Sequence, residues 1–341
     1  MPRAGKTSRH AGRSALIIVL LLALIGGGLF GLHSLQARED ARAIEAAAAR
    51  EGEELQRPRV YYNGQWYELR DDLETILFMG LDQYEDTRSD PEGYINNQQA
   101  DFLFLVIVDD TAGSCTAVHI NRDTMTEIRR LGLGGTVLGT FTGQLALAHT
   151  YGSGGRDSCR NTVQAVSRYL YDVPIDHYAA MTMDAIALLN DLSGGVVVHI
   201  DSDFSAIDPA LEQGKDVRLR GEQALEFVRS RWNVDDNTNL SRMVRQRTYI
   251  NALYEQVSLQ LRSDESFGKR LAVNLAEYIE SDLTTTELSE LGERIESYYF
   301  TGIEVIPGEA RMGNEFIEFY SDDSALQELV IRLFFRPEGG D

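Results

Sequence analysis

The run DFLFLVIV (101–108) is apolar at every position after its aspartate and shows no polar alternation. A strand with one wet face alternates, so a strand of this kind must be covered on both faces. At 341 residues and 43% apolar content the chain can bury such a strand, and wholesale disorder is excluded. TILFMG (75–80) and CTAVHIN (115–121) read as further strands, and GGVVVHI (194–200) as another. RVYYNGQWYEL (59–69) holds two Tyr-rich stretches around Asn63-Gly64, a strong short hairpin signal. Helical periodicity predicts helices over 140–151, 159–171, 182–192, 221–231, 241–261, 266–280, 284–296 and 324–335, with strand in 303–320. Strands mixed with helices and no internal repeat predict one α/β domain over 59–341, a sheet covered by helices on both sides.

The short turn DDTAGS (109–114) predicts an antiparallel hairpin between the second and third strands. With its centre near Ala112, facing residues sum to about 224, which sets Asp101 opposite Asp123, beside Arg122. Asp82, after the first strand, reaches the same sheet edge if that strand runs parallel to the third. Ligands of open α/β sheets sit outside strand ends, although these residues could equally be strand-end ion pairs and caps.

Residues 228–247, VRSRWNVDDNTNLSRMVRQR, gather Arg229, Arg231, Arg242, Arg245 and Arg247 in a chain of formal net charge −21. Arg242, Arg245 and Gln246 fall at i, i+3 and i+4 on one helical face, with Met243, Ile250, Leu253 and Tyr254 expected toward the core. Such a stripe also serves as an ordinary solvated face. Guanidinium forks, however, hold phosphate bidentately, and nearby carboxylates hold the Mg²⁺ that bridges phosphate oxygens. A pyrophosphate or polyphosphate ligand explains both charge signs.

Ser14 to Ala37 carries no Asp, Glu, Lys or Arg and is long enough to cross a hydrocarbon core of about 30 Å. It exceeds the roughly 7 to 15 residues of a signal-peptide core and reads as a transmembrane helix. Arg3, Lys6, Arg9 and Arg13 precede it without an acid, which makes residues 1–13 a cytoplasmic tail and places the main domain outside. Residues 38–58, rich in Ala, Glu and Arg, read as a helical stalk. Without the tail's four positive charges, residues 38–341 carry −25, which together with this topology excludes a nucleic-acid partner. In an oxidising compartment the only two cysteines, Cys115 and Cys159, are expected to form a disulfide. YGSGGRDS (151–158) reads as a tight turn, and His119, His149, His177 and His199 lack metal-ligand spacing.

ILFMGLD (76–82), ADFLFLVIV (100–108), INRDTM (120–125), LALAHTYGSGG (145–155), TVQAVSRYLYDVPIDHYAAM (162–181), LSGGVVVHI (192–200), LRGEQALEFVRSR (219–231) and NLSRMVRQR (239–247) occur in the order of a known family. Over most of 75–250 the sequence resembles the LytR-CpsA-Psr proteins. The resemblance implies a mixed central sheet in an α/β/α sandwich, with an apolar tunnel and an arginine-lined mouth. It implies a membrane-anchored, extracytoplasmic, Mg²⁺-dependent phosphotransferase that moves a glycopolymer from a polyprenyl pyrophosphate carrier to cell wall peptidoglycan. By the same resemblance Asp101 and Asn239 occupy metal positions, Arg122 and Asp123 the catalytic pair, and Arg122, Arg229, Arg231, Arg242, Arg245 and Gln246 the phosphate-binding set.

The chain departs from the family at Gln99, where an arginine is usual, at Asn239, where an aspartate is usual, and at Asn121, where a proline is usual. Asp235 or Asp236 is a candidate to restore the missing charge. These departures keep two alternatives open: a non-catalytic binding or regulatory protein for lipid-linked wall precursors, and a hydrolase of the same pyrophosphate.

Overall fold

Asn63 and Gly64 both take left-handed backbone angles, φ 47° and 86°, and turn β1 (Arg59–Tyr62) into β2 (Gln65–Leu69), as the dipeptide predicts. The computed structural model describes residues 58–83, 98–264 and 266–339. The expected cytoplasmic tail, transmembrane helix and all but the last residue of the stalk lie outside the described residues. Among the described residues no helix is long and apolar enough to cross a membrane.

The centre is built from β3 (Leu73–Gln83), β4 (Gln98–Asp109) and β5 (Ser114–Ile120), each antiparallel to the next. Side chains of β4 alternate between two cores. Phe104, Val106 and Val108 enter one, and Leu103, Leu105 and Ile107 the other, all at most 4% exposed. Its unbroken apolar run thus serves two faces at once. The observed register pairs Leu103 with Ile120 and Asp109 with Ser114, one residue off the expected register, so that extrapolation brings Asp101 opposite Arg122 instead of Asp123.

β6 (Met125–Leu131) pairs with β7 (Val137–Gln144), followed by the short α1 (Leu147–Thr150). The helix expected over 140–151 is therefore corrected: its first part is a strand. Thr140, Phe141 and Thr142 suit a pleated surface, and pairing with β6 overrides the helical spacing. α2 (Gly155–Tyr169) begins four residues earlier than expected. The glycine-rich stretch before it is a tight packing turn, since a Cβ on Gly152 would lie 2.3 Å from the Ser158 Cα.

β8 (His177–Thr182), α3 (Ala185–Leu192), β9 (Val196–His199), β10 (Asp216–Leu219), α4 (Glu222–Arg229) and α5 (Asn239–Ser263) follow. Then come α6 (Phe267–Leu275), β11 (Ile279–Ser281), α7 (Thr285–Glu296), β12 (Tyr299–Val305), β13 (Gly308–Met312), β14 (Ile317–Ser321), α8 (Asp323–Phe334) and β15 (Phe335–Pro337). The helix expected over 266–280 ends early because its last residues become the edge strand β11. The main sheet runs β11-β8-β3-β4-β5-β12, with β3/β8 and β5/β12 parallel, so it is mixed. One core packs α3 to α7 on the sheet, and the other packs α2 and α8. The expected sandwich is observed.

Cys115 lies in the first core and Cys159 in the second, with the sheet between them, and both are free thiols. The expected disulfide is corrected. Burial pushes both thiols up to about 12, leaving them protonated and unreactive.

Candidate functional site

The paired residues of β3 and β4 step from Gly80–Phe102 to Leu81–Ala100, which leaves Asp101 as the extra residue of a β-bulge. Regular alternation would send Asp101 into the core beside Leu103 and Leu105. The bulge turns it out to the sheet edge, where it joins Asp82 and Arg122 in the wall of an open pocket.

The remaining wall comes from the two ends of the arginine-rich stretch. α4 ends at Arg229, whose Nε donates to Asp82 Oδ2 at 2.8 Å. Ser230 is extended, φ −59° and ψ 133°, and Arg231 Nη1 reaches Asp123 Oδ2 at 3.1 Å. Thr238 then caps α5 by accepting from the Ser241 amide, and Asp236 accepts from Thr238 and Ser241. In the first turn Arg242 donates from Nε to Asn239 Oδ1 at 2.8 Å and from Nη1 to Asp101 Oδ2 at 3.0 Å. Its Nη2 is buried with no partner among the described residues.

Arg122 donates to Asp101 Oδ1, donates from Nη2 to Gln99 Oε1 at 2.7 Å, and sets Nε 3.2 Å from Asp123 Oδ1. Asp82, Asp101, Arg122, Arg229, Arg231 and Arg242 thus line a pocket of about 850 Å³, with the 58% exposed Trp232 at its rim and the Arg231 guanidinium 4.7 Å over the indole. Burial opposes ionisation of Asp101, but Arg122, Arg242 and Arg231 together outweigh it and hold the carboxyl below its usual range. Burial weakens the proton affinity of Arg242, with Asp101 opposing.

Not every expected residue faces this pocket. Asp123 is 1% exposed and stands behind Arg122 and Arg231, held also by Gln144 Nε2 at 3.1 Å. Arg245 is a buried clamp: it donates to the Phe227 and Ser230 carbonyls and to Asp235, and lies 5.5 Å over the Phe204 ring. Gln246 donates to the Val228 carbonyl at 3.3 Å. Asn239 donates to Asn121 Oδ1 at 2.7 Å and accepts from Arg242, so both ends of its amide orient neighbours. Asp235 and Asp236 serve the clamp and the helix cap. Of the residues the sequence did not single out, Gln144 lies on the strand misread as helix, and Trp232 follows Arg231 directly, a signal that was available. Arg247 lies 3.3 Å from His119, which burial keeps neutral.

Beside the pocket lies a second, apolar cavity, lined by Phe78, Phe102, Met181, Ile186, Tyr249 and Leu253 among others. The two meet along shared backbone. Gly80 and Asp82, Phe102 and Asp101, and Val228 and Arg229 each give one residue to the apolar cavity and a near neighbour to the charged pocket. Gln246 lines the cavity one turn of α5 after Arg242.

The mixed α/β/α sandwich thus carries a guanidinium-carboxylate pocket whose lining adjoins an apolar cavity, an arrangement that defines the fold class and site of this chain. The LytR_cpsA_psr family profile matches residues 33–332, and the chain belongs to that family. It is 27% identical over 261 residues to a polyisoprenyl-teichoic acid–peptidoglycan teichoic acid transferase TagU from Bacillus mycoides (strain KBAB4), covering 76% of this chain and 77% of that one. Its fold is similar to that of protein gbs0355 from Streptococcus agalactiae (TM-score 0.60, 19% identity, 77% and 86% of the two chains). It is also similar in fold to TagT bound to LIIa-WTA (TM-score 0.56, 21% identity, 77% and 90%).

Proposed function

We propose that this chain is a transferase that moves a glycopolymer from a polyprenyl pyrophosphate carrier to cell wall peptidoglycan. The observation that carries the reading is the junction of the two cavities. Four guanidiniums, Arg122, Arg229, Arg231 and Arg242, face a site one or two residues from the lining of an apolar cavity. A pyrophosphate fits the first and a polyprenyl tail the second. The relative named as a TagU transferase supports the same activity.

In this reading the pyrophosphate bridges the arginines, and the unpartnered Arg242 Nη2 supplies a buried donor for one of its oxygens. An acceptor hydroxyl attacks the sugar-side phosphorus, and the phosphoanhydride P–O bond breaks. The electron pair leaves with polyprenyl phosphate, and a pocket carboxylate takes the hydroxyl proton. Asp101 faces that space, whereas Asp123 fixes Arg122 and Arg231 from behind. The arginines neutralise charge on the transferring phosphoryl and on the leaving phosphate.

Mg²⁺ belongs to the proposal as an ion that arrives with the substrate. Mg²⁺ is commonly held by one or two carboxylates together with phosphate oxygens and water, and this reading assigns Asp101, whose oxygens now accept from Arg122 and Arg242, as the carboxylate that would hold it. When bound, the ion adds positive charge at the phosphate oxygens. The proposal also places residues 14–37 across the membrane, with the N-terminus cytoplasmic and the main domain extracellular.

Gln99 and Asn239, which kept a non-catalytic binder open, hold Arg122 and Arg242 in place and so serve the pocket. The test uses the full chain in a lipid nanodisc with a polyprenyl pyrophosphate-linked sugar, a wall-glycan acceptor and Mg²⁺, following released polyprenyl phosphate and labelled acceptor by mass spectrometry. Labelled acceptor that disappears in Asp101→Ala is expected. Lipid binding without either product would identify a binder, and release without labelling a hydrolase.

A further inference from the structure

A second polar groove, of about 530 Å³, lies between the β6–β7 hairpin and α2, lined by Glu127, Arg129, Thr140, Asn161, Gln164 and Arg168. Its floor contains two buried polar atoms with no partner among the described residues, Asn161 Oδ1 and Arg129 Nε. The orientation of Asn161 is fixed, because its Nδ2 donates to the Arg129 carbonyl at 2.9 Å and the Ala148 carbonyl at 2.7 Å. Its free oxygen is therefore a true acceptor, in a side chain 1% exposed. Glu127, Thr140, Gln164 and Arg168 form the exposed rim.

We propose that this groove binds the acceptor glycan; the assignment of an acceptor rests on the transferase reading above. The floor asks for a ligand that gives an O–H or N–H to Asn161 and an oxygen to Arg129. The rim adds a hydroxyl, an amide and charges of both signs. Arg168 is already paired with Asp172 at 3.1 Å, and Glu127 repels anions, so a polyphosphate is disfavoured. A hydroxyl- and amide-bearing oligosaccharide satisfies every one of these groups.

The position fits the role. β6 pairs Met125 with Gln144, which holds Asp123, and pairs Arg129 with Thr140 four residues further on. At roughly 3.3 Å per residue the groove lies about 13 Å along the hairpin from that end. The proposal takes a glycan seated there to extend along the hairpin toward the sheet edge that carries the arginine pocket.

Titration calorimetry on the full chain in nanodiscs tests this with a soluble peptidoglycan-derived oligosaccharide and, separately, a soluble wall-polymer fragment. Gln164→Trp fills the groove from its exposed rim, and Arg129→Met removes the floor donor. Saturable binding of the peptidoglycan oligosaccharide, weakened tenfold or more by both substitutions with polyprenyl pyrophosphate affinity unchanged, is the expected result. Equal affinity in the wild type and both variants overturns the site, as does no saccharide binding at all. Groove-dependent binding of the wall-polymer fragment alone overturns the acceptor assignment. None of these readouts needs turnover, so failure of the transferase reading is scored separately.

Discussion

Arg229 and Arg242 belong to one pocket yet differ in what removing them does. The Arg229 side chain is 46% exposed, while Arg242 is 4% exposed between Asp101 and Asn239. Arg229→Ala is expected to weaken polyprenyl pyrophosphate binding by about 1.5 to 3 kcal/mol, the worth of a charge-assisted contact, with little change in thermal midpoint. Arg242→Ala leaves Asp101 buried with less compensation and should also cost roughly 3 to 5 kcal/mol of folding stability. Calorimetric binding paired with thermal melts separates the two; equal stability loss in both would remove the distinction. The buried histidines make a pH prediction. Burial pushes His149 down to about 4, and His119 well below its usual value, with Arg247 and Arg242 adding to the effect. The unfolded chain then binds more protons, so this stability is present above about pH 6.5 and is lost as pH falls, for His149 until about 4. Asp101, held low, loses its contribution in the same direction below about pH 3.9. Melting midpoints should drop between pH 7 and 5, and His149→Asn should flatten part of that slope.

Among the elements, α5 departs furthest from its sequence pattern. Arg242, Arg245 and Gln246 are 3 to 4% exposed while Val244 and Leu259 are 52% and 59% exposed. A helix that buries arginines and exposes aliphatics defeats hydropathy, because the arginines are satisfied by loop carbonyls and carboxylates that only the tertiary structure supplies. The stripe was legible as a set; that it points inward was not. The β4–β5 hairpin was legible because its turn is short, and it was off by one residue because turn chemistry does not fix the register uniquely. β7 was missed because its partner strand, not its own spacing, decides its state. Leu105→Ala, in the strand that feeds both cores, should cost about 2 to 5 kcal/mol by denaturant titration. Val244→Lys on the exposed face should stay within about 0.5 kcal/mol.

At the level of the whole molecule, the α/β class and the two covered faces followed from one apolar strand, whereas the sheet order did not. β8 and β12 join in parallel through distant crossovers, and β12 closes on β5 from 185 positions away in the Thr116–Thr301 hydroxyl contact of 2.7 Å. Such pairings leave no local mark. The cysteines failed for the same reason: an even count says nothing about which side of a sheet each occupies. Intact-mass alkylation should find both thiols blocked to reagent in the native protein and both modified after unfolding; a mass lower by two hydrogens without reductant would restore the disulfide.

The bulge at Asp101 divides β4 into two half-strands of opposite phase. Ala100 and Leu103 share a face although one is even-numbered and the other odd. Asp101 is therefore a spacer as well as a charge. Asp101→Asn empties the charge and keeps the phase. Deleting the residue would leave a regular strand, with Ala100 and Leu103 two positions apart on the face they share now and Phe102 still on the other, but with no carboxylate at the sheet edge. Along this strand the extra residue is an insertion that carries the site: the sheet keeps its pairing without it, and the pocket loses its carboxylate.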